Sequence, residues 1–422
     1  MSGTKSASST DAVAETPSPP GAPVSDPPAP LLIVFTLWLL VFSSAGQTMI
    51  ISPILPMIGD ELDIPDAALG TLVSAYSLMV GIFAILAGPV SDRVGRRRIL
   101  ILGCGAMTAA LVLHIFAVDY FSFLFVRVLA GSAGGVLSGA AVSYIGDAFP
   151  YSRRGWATGW VMSGSAFGQI VGIPLGILMA SRWGVSSPFY VFAATMAVTV
   201  LLLYFGIPQP PVQRSDHPLS IERAARDYLA MLRRPEVASG AAAFFLMFLG
   251  VSVFVVYLPT WLERQIGATG DEIAFMFLVG GLANVVTGPQ AGKLSDRIGR
   301  KGIILLACIG LSIVMLLTVA LVRSLASAYV MFFLTMVLVA MRVSPFSALL
   351  TALVRDERRG SLMSLTVALG QMGFALGGAI AGPLYAGVGY FSNAVLGAVF
   401  VLGMGLIVWY RIPEPTPGTT AG

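Results

Sequence analysis

One charged turn interrupts a chain that is otherwise poor in charge. It reads Gly-Pro-Val-Ser-Asp-Arg-Val-Gly-Arg-Arg-Arg over residues 88–98. A carboxylate beside several guanidinium groups can form charge-assisted hydrogen bonds with them and with a helix end. A second copy, Gly-Lys-Leu-Ser-Asp-Arg-Ile-Gly-Arg-Lys, covers residues 292–301, and each shared residue lies 204 positions after its counterpart. A charged turn repeated half a chain apart predicts two structurally equivalent halves.

We expect these turns to hold the two halves together in one state of a conformational cycle. Small Gly88 allows two helices to approach closely, and Asp147 is placed to pair with Arg96 or Arg97. In a simpler alternative, the arginines only fix the orientation of the chain in a membrane. The residues predicted to form this gate are Gly88, Asp92, Arg93, Gly95, Arg96, Arg97, Asp147, Gly292, Asp296, Arg297, Gly299, Arg300 and Lys301.

Two arginines, Arg127 and Arg342, stand inside long apolar stretches. An arginine at the centre of a bilayer costs about 2.5–3.5 kcal/mol on insertion scales, so its presence indicates a cavity or a partner. Arg342 could bind an anionic group of a substrate. The structural alternative is that each guanidinium pairs with backbone carbonyls or extends towards the membrane surface.

Carboxylates are absent from the deep parts of these apolar stretches, which limits the groups that could carry protons. The predicted coupling candidates are Asp60, Glu61, His114 and Glu263. In the alternative interpretation, each of them is a solvated charge in a loop or a residue at a helix end.

Several polar and aromatic residues are predicted to line one central cavity together. A largely apolar pocket with a few hydrogen-bonding groups suits amphiphilic molecules. For any single aromatic residue, packing in the core or at the lipid interface is the alternative. The predicted cavity residues are Gln47, Tyr76, Arg127, Tyr144, Gln169, Tyr257, Asn284, Arg342 and Gln371.

The elements that position these residues follow from composition. The chain has 422 residues, of which 56% are hydrophobic and 11% charged, and its mean hydropathy is +0.85. A soluble protein carries about 25% charged residues, so the composition predicts a membrane protein. Apolar runs of about 20 residues can each cross the hydrocarbon core, and a bilayer requires them to be helices. We therefore predict an all-α membrane protein.

The chain shows no nucleotide-binding loop, no metal-ligand cluster and no nucleophile constellation. We predict that it is not an enzyme and that it binds no metal, no cofactor and no nucleic acid. The two cysteines, Cys104 and Cys308, both lie within apolar runs and are expected to be buried free thiols.

Twelve membrane helices are predicted, six in each half. Their predicted bounds are Leu31–Met57, Ala67–Val90, Ile99–Val118, Phe121–Phe149, Gly155–Ala180, Pro188–Ile207, Val237–Leu262, Glu272–Ala291, Ile303–Val322, Ala326–Leu353, Ser361–Ala386 and Phe391–Tyr410.

The segments between and around the helices complete the predicted domain organisation. Residues 1–30 form a disordered tail, 31–207 the first bundle and 208–236 a linker with an amphipathic surface helix. Residues 237–411 form the second bundle and 412–422 a short tail. Basic residues concentrate on the side of the charged turns, so the positive-inside rule places both termini in the cytoplasm.

The two charged turns, between helices two and three and between helices eight and nine, resemble motif A of the major facilitator superfamily. The resemblance covers residues 31–410 and implies two pseudo-symmetric six-helix bundles around a shared cavity. Gly164, Gly168, Gly172, Pro174 and Gly176 resemble the glycine and proline motif of twelve-helix drug:proton antiporters. Because Ile173 separates the usual adjacent Gly-Pro pair, the pattern is closer to bacterial sugar-efflux and chloramphenicol exporters.

The resemblance implies a transporter in a bacterial inner membrane that exports hydrophobic or amphiphilic small molecules by alternating access. Arg127 resembles the basic residue of motif B, which is linked to proton coupling. Many proton-coupled relatives carry an acid where this chain has Gln47, which cannot titrate. We expect a monomer in the lipid bilayer whose partners are a small-molecule substrate and, if coupling holds, protons. The alternatives are a lipid, lysolipid or organic-anion transporter, and a sensor that moves no substrate.

Overall fold

A computed structural model describes residues 27–210, 221–354 and 359–414. Within these ranges every regular element is helical. The helices are α1 (Pro30–Met49), α2 (Ile51–Leu62), α3 (Asp66–Val94), α4 (Arg96–Leu113), α5 (Tyr120–Leu137), α6 (Ala140–Ala148), α7 (Tyr151–Phe167), α8 (Ile173–Trp183), α9 (Ser187–Phe205), α10 (Ile221–Leu232), α11 (Pro235–Val255), α12 (Leu258–Ile266), α13 (Gly270–Ile298), α14 (Arg300–Leu321), α15 (Leu325–Thr351), α16 (Arg359–Val388) and α17 (Tyr390–Arg411).

Twelve helical segments of the described chain are long and apolar enough to cross a membrane, which confirms the predicted number. Six precede α10 and six follow it, so α1 begins and α17 ends on the same face of the bundle. We call this the basic face, because it carries the turns at 94–98 and 298–301. The opposite, acidic face carries the connections at 62–66, 117–119 and 267–271.

Proline residues break two equivalent spans that were predicted to be continuous. Pro53 and Pro56 lack the N–H that would bond one turn back, and the first span divides at Ile50 into α1 and α2. Pro259 acts in the same way where α11 gives way to α12. Both breaks lie towards the acidic face, where the two halves meet.

The fifth span contains a π-helical turn, Gly168–Gly172, between α7 and α8. Pro174 cannot donate a hydrogen bond to the carbonyl one turn earlier, and the ladder widens just before it. A widened turn displaces the side chains within it from the regular helical register. Gln169 lies in this turn.

The predicted twofold relation is visible in the turns of the basic face. Gly95 (φ 102°, ψ 139°) and Gly299 (φ 100°, ψ 139°) share one left-handed conformation that favours glycine. Gln209 and Glu414, 205 positions apart, each accept a hydrogen bond from a backbone N–H in the helix that follows the turn. The two halves therefore close their basic-face turns in the same way.

The two halves contact each other mainly through α3 and α16. A methyl group at Gly70 would collide with the carbonyl oxygen of Gly378, so backbone meets backbone at this point. Ser74 Oγ also donates to the Ala375 carbonyl at 2.6 Å. Further contacts join α2 to α12 and α8 to α13, all in the half of the bundle near the acidic face.

Most of both predicted tails and part of the predicted linker lie outside the described residues, which leave out 1–26, 211–220, 355–358 and 415–422. Within the predicted linker, the helix α10 is present.

Candidate functional site

A cavity of about 350 Å³ lies between the halves, near the middle of the spans. This size lies in the range of small-molecule sites, and the walls are mostly aliphatic and aromatic. Its lining residues are Met49, Ser52, Gln169, Ile173, Met247, Phe248, Val251, Val255, Phe277, Gly281, Asn284, Phe332, Met336, Val339, Arg342, Val343 and Phe374. The cavity can therefore hold an amphiphile of about drug size.

Three of the predicted cavity residues lie in this lining: Gln169, Asn284 and Arg342. The π-helical turn carries Gln169, and α13 packs so closely on it that a Cβ at Gly281 would lie 3.3 Å from the Gln169 carbonyl oxygen. Asn284 follows one turn later on α13. The close crossing of α13 and the π turn thus brings two amides to one wall.

Arg342 is fully buried on α15 between the cavity and the interior of the second half. Its Nη1 lies 3.7 Å from the Sδ atom of Met404 on α17, and the Cys308 thiol of α14, which donates to the same Sδ at 3.8 Å, lies beside it. The Nε atom has no hydrogen-bond partner among the described residues. The guanidinium therefore lies against sulfur atoms, which are weak acceptors.

A second polar cluster lies inside the first half, apart from the lining of the cavity. The Tyr76 hydroxyl accepts hydrogen bonds from Gln47 Nε2 (2.8 Å) and Thr48 Oγ1 (2.7 Å). The guanidinium carbon of Arg127 lies 4.3 Å from the centroid of the Tyr76 ring, and Arg127 Nε donates to the Leu72 carbonyl at 3.2 Å. We call these residues the Tyr76 cluster.

The Tyr76 cluster contains two unsatisfied polar atoms. Gln47 Oε1 and Arg127 Nη1 are buried and have no hydrogen-bond partner among the described residues. Gly131, Gly134 and Gly135 allow α5 to pack directly on α3 at this level, where added methyl groups would meet the backbone or ring of Tyr76 and its neighbours. The structure thus places Gln47, Tyr76 and Arg127 within one half, not on the cavity wall.

The two other predicted tyrosines lie away from the cavity. Tyr144 Oη donates to the Pro208 carbonyl at 2.6 Å and ties α6 to the segment after α9 near the basic face. Tyr257 Oη donates to the Asp66 carbonyl at 2.5 Å and accepts from the Gly70 N–H at 2.7 Å. Neither residue is in the lining of this cavity, and both hydroxyls are held by backbone groups elsewhere.

Gln371 is half-buried on α16, where its Cβ would lie 3.5 Å from a methyl group at Gly81 of α3. It therefore belongs to the contact between the halves, beside the cavity.

Tyr257 forms part of a contact between the halves that we call the acidic-face latch: Asp66, Gly70, Tyr257 and Arg264. The Asp66 carbonyl and the Gly70 N–H are one helical turn apart, so the Tyr257 hydroxyl bridges the first turn of α3. Arg264 adds an ion pair with the Asp66 carboxylate, with Nη2 2.7 Å from Oδ1. Asp66 and Arg264 were not predicted as site residues, although their opposite charges at the same face were a usable signal.

Beside the latch, an open vestibule of about 800 Å³ faces outwards at the acidic face. Two predicted coupling residues, Asp60 and Glu263, line it with Asp63 and the latch residues Asp66 and Arg264. Asp60 is exposed and Glu263 is half-buried, one from each half of the molecule. The structure therefore brings these two carboxylates together at the surface and not deep in the bundle.

The other two coupling candidates are held in structural positions. Glu61 Oε2 accepts a hydrogen bond from the Val185 N–H at 3.0 Å and so fixes the loop after α8. His114 is fully buried, with Nδ1 donating to the Ala110 carbonyl at 2.8 Å and its ring stacked 4.2 Å from that of Phe189. Both residues contact only the first half in these interactions, so neither reaches the cavity.

In the first charged turn, the predicted pair is present: Arg96 Nε lies 2.7 Å from Asp147 Oδ2. Arg97 has a different role, because its guanidinium donates to the Leu203 and Tyr204 carbonyls at the end of α9. The side-chain surroundings of Gly88, Asp92 and Arg93 lie outside the described part of the structure.

In the second turn, Arg300 pairs with Asp296 on the adjacent helix end, with 3.1 Å between Nη2 and Oδ1. Lys301 Nζ lies 5.6 Å from the Trp409 ring centroid. Arg297 lines a surface depression with Lys293, and Gly292 lies against Ser344 of α15. These contacts stay within the second half, so they brace it at the basic face.

The aromatic wall of the cavity was not predicted from the sequence. Phe248, Phe277, Phe332 and Phe374 come from four different helices, and apolar residues of this kind occur throughout the chain. No local signal separates a phenylalanine that lines a cavity from one that faces lipid.

Comparison with known proteins gives one consistent family. The family model described as Major Facilitator Superfamily matches residues 37–267 and 240–422. The uncharacterized MFS-type transporter YceJ of Bacillus subtilis (strain 168) is 26% identical over 382 residues, which cover 88% of this chain and 95% of that protein. The multidrug resistance protein MdtG of Proteus mirabilis (strain HI4320) is 27% identical over 303 residues, covering 69% and 73%.

Two solved structures share the fold. The crystal structure of a D-xylose-proton symporter superposes with a TM-score of 0.77 at 19% identity and covers 93% of this chain and 99% of that one. The structure of the human organic anion transporter MFSD10 (TETRAN) superposes with a TM-score of 0.68 at 18% identity, covering 90% and 100%.

Proposed function

Because the chain belongs to the major facilitator superfamily, we propose that it carries amphiphilic small molecules across the membrane by alternating access. The observation that carries this proposal is the apolar cavity between the halves, with two amides and one guanidinium in its lining. Such a site binds through apolar contact area and uses a few polar groups to orient the ligand.

Export is the proposed direction of transport. Two observations support it: the glycine and proline pattern of the fifth span, and the similarity to multidrug resistance proteins named MdtG. The π-helical turn makes that span deformable at the cavity, where α13 packs against it. The bacterial relatives favour a bacterial inner membrane, and the charge distribution favours the cytoplasm as the side of the basic face.

The described contacts correspond to a state that is closed at the acidic face. The latch, the α2–α12 contact and the α8–α13 contact all lie on that side of the cavity. Towards the basic face, Gly159 of α7 and Gly288 of α13, one from each half, have no atom within 4 Å of an added Cβ, so the halves do not touch at these two positions. We therefore assign the cytoplasm-facing state of the cycle, in which an exporter takes up its substrate.

Proton coupling, if it drives export, is proposed to use Asp60 and Glu263. They come from opposite halves and line one vestibule next to the latch, so protonation there would alter the attraction between the halves and Arg264. The double variant Asp60→Asn with Glu263→Gln is expected to abolish substrate-driven proton flux. Asp119→Asn, an exposed acid on the same face whose hydrogen bonds stay within the first half, is the control. Unchanged flux in the double variant would remove these residues from coupling.

Transport itself is tested with purified protein in liposomes. We expect saturable movement of fluorescent amphiphiles, faster with a pH gradient than without one. Val251→Trp fills the cavity and should stop transport, whereas Val399→Trp, on an exposed apolar surface of α17, should not. Equal transport by both variants would show that the cavity is not the route, and a wild-type protein that moves none of the compounds would contradict the proposed function.

A further inference from the structure

We propose that the central cavity selects amphiphiles that carry a negative charge, and that Arg342 binds their anionic group. This inference rests on the proposed transport function and names the substrate class for the same cavity. The ligand chemistry is a single carboxylate or sulfonate attached to an apolar or aromatic body of about drug size.

The first observation is the position of Arg342. It lies nine residues before the end of α15, about 14 Å from that end at 1.5 Å per residue. The residue is fully buried in the protein, and it forms part of the cavity wall. A guanidinium held within the span is unfavourable unless a partner compensates its charge, so its surroundings decide what it does.

Those surroundings leave the charge poorly compensated. Arg342 Nη1 bonds to the Met404 thioether, and the Cys308 thiol lies beside it; both sulfur atoms are weak acceptors. The Nε atom has no hydrogen-bond partner among the described residues. A carboxylate or sulfonate would offer the planar guanidinium two parallel hydrogen bonds. Rotation about the long side chain would bring the guanidinium from the sulfur atoms into the cavity.

The second observation is the sign of charge in the lining. Arg342 is the single charged residue among the described residues that line the cavity, and no carboxylate faces it there. A cationic compound would meet a like charge in a low-dielectric site, which disfavours its binding. The remaining polar groups, Ser52, Gln169 and Asn284, are neutral and can bond ligands of either sign.

The third observation is the contrast with Arg127. That guanidinium stacks on the Tyr76 ring and donates to the Leu72 carbonyl, so the first half already uses it. The four cavity phenylalanines, Phe248, Phe277, Phe332 and Phe374, provide an apolar surface for the body of a ligand whose charged group meets Arg342.

The experiment uses three dyes with one fluorophore: dansylglycine, which is anionic, dansylamide, which is neutral, and dansylcadaverine, which is cationic. Transport is measured in liposomes containing the full-length protein. We expect the wild type to prefer dansylglycine. Arg342→Gln should raise the KM for dansylglycine by about tenfold or more and leave that for dansylamide within about twofold. Arg323→Gln, an exposed arginine on the acidic side, is the charge-matched control.

The outcomes separate the inference from the function on which it rests. If no dye moves in the wild type, the proposed function fails. If all three dyes move without preference for the anion, or if Arg342→Gln slows all three equally, the function stands and the inference is overturned. Should Arg342→Gln not fold, Arg342→Lys keeps the charge but loses the planar fork, and it is expected to retain transport with a weakened preference for dansylglycine; an unchanged preference would count against the bidentate contact.

Discussion

Tyr257→Phe is the substitution that tests the acidic-face latch most selectively, because it removes one hydroxyl and keeps the ring. The ring packs 5.2 Å from that of Tyr385, within the second half. The hydroxyl makes the hydrogen bonds to α3, donating to the Asp66 carbonyl and accepting from the Gly70 N–H. The variant therefore changes the contact between the halves more than the fold of either half.

The expected magnitude follows from those two hydrogen bonds. Each buried bond contributes about 1 kcal/mol net, and a buried partner left unsatisfied costs more. In the variant, the Gly70 N–H can return to the Asp66 carbonyl within α3, which limits the loss. We expect the closed state to lose about 2 kcal/mol relative to the open one, which corresponds to about a 30-fold shift in their ratio.

The assay measures the distance between spin labels across the acidic face. Replacing Arg182 and Asp271 by cysteine places one label on each half. Both residues are exposed, and Arg182 Nη2 lies 3.8 Å from Asp271 Oδ2 across the contact between α8 and α13. The two native cysteines are buried and are replaced first. The exposed ion pair that the labels remove is worth less than about 1 kcal/mol and is absent from every sample alike.

Tyr329→Phe is the matched control, because its hydroxyl donates to the Glu272 carbonyl within the second half at 3.2 Å. The wild type and the control should give one short distance, and Tyr257→Phe should add a population at longer distance. An unchanged distribution in Tyr257→Phe would refute the reasoning that this hydroxyl holds the halves together.

Three further predictions concern packing and charge. Gly70→Ala places a methyl group against the facing backbone carbonyl of α16 and should lengthen the same label distance, whereas Gly105→Ala, which has open space, should not. Asp147→Asn weakens the half-buried pair with Arg96 and should lower the unfolding free energy by about 1 kcal/mol, measured as a lower melting temperature in detergent; an identical melting curve would argue that the pair contributes nothing. The hydroxyl and backbone N–H of Ser122 donate to the Asp119 carboxylate, which caps α5, and hold the pKa of Asp119 below its usual value. The stability that this carboxylate adds is therefore present above about pH 4 and lost as the pH falls further. The melting-temperature difference between Asp119→Ala and the wild type should therefore shrink in acid, and a difference that is constant with pH would contradict this explanation.

Much of the fold could be predicted from the sequence because a bilayer leaves few choices. Apolar runs of membrane length must be helices, and the repeated charged turn predicted the two halves. The helix breaks at Ile50 and before Leu258 were not predicted, although the prolines that cause them were visible. A proline permits a bend, but packing against the other half decides where the helix divides.

The candidate site was less predictable, because sequence shows which residues are polar but not which wall they face. Gln169, Asn284 and Arg342 lie at the cavity, whereas Gln47, Tyr76 and Arg127 lie together inside the first half. A buried polar residue satisfies its hydrogen bonds wherever partners exist, and those partners come from distant helices.

The tyrosines show the same limit. Tyr144 and Tyr257 are of the residue type expected in a cavity wall, yet their hydroxyls donate to backbone carbonyls at opposite faces of the bundle. Which backbone carbonyl is available to a tyrosine hydroxyl depends on how the helices pack, and the sequence alone does not show it.

The central claim is that the two halves expose one cavity to each side of the membrane in turn. The most direct test records two label distances in the same preparations: residues 182 and 271 across the acidic face, and residues 159 and 288 across the basic face. We predict that Tyr257→Phe lengthens the first distance and shortens the second. If both distances lengthen together, or if the basic-face distance does not respond, the halves do not alternate around a shared cavity.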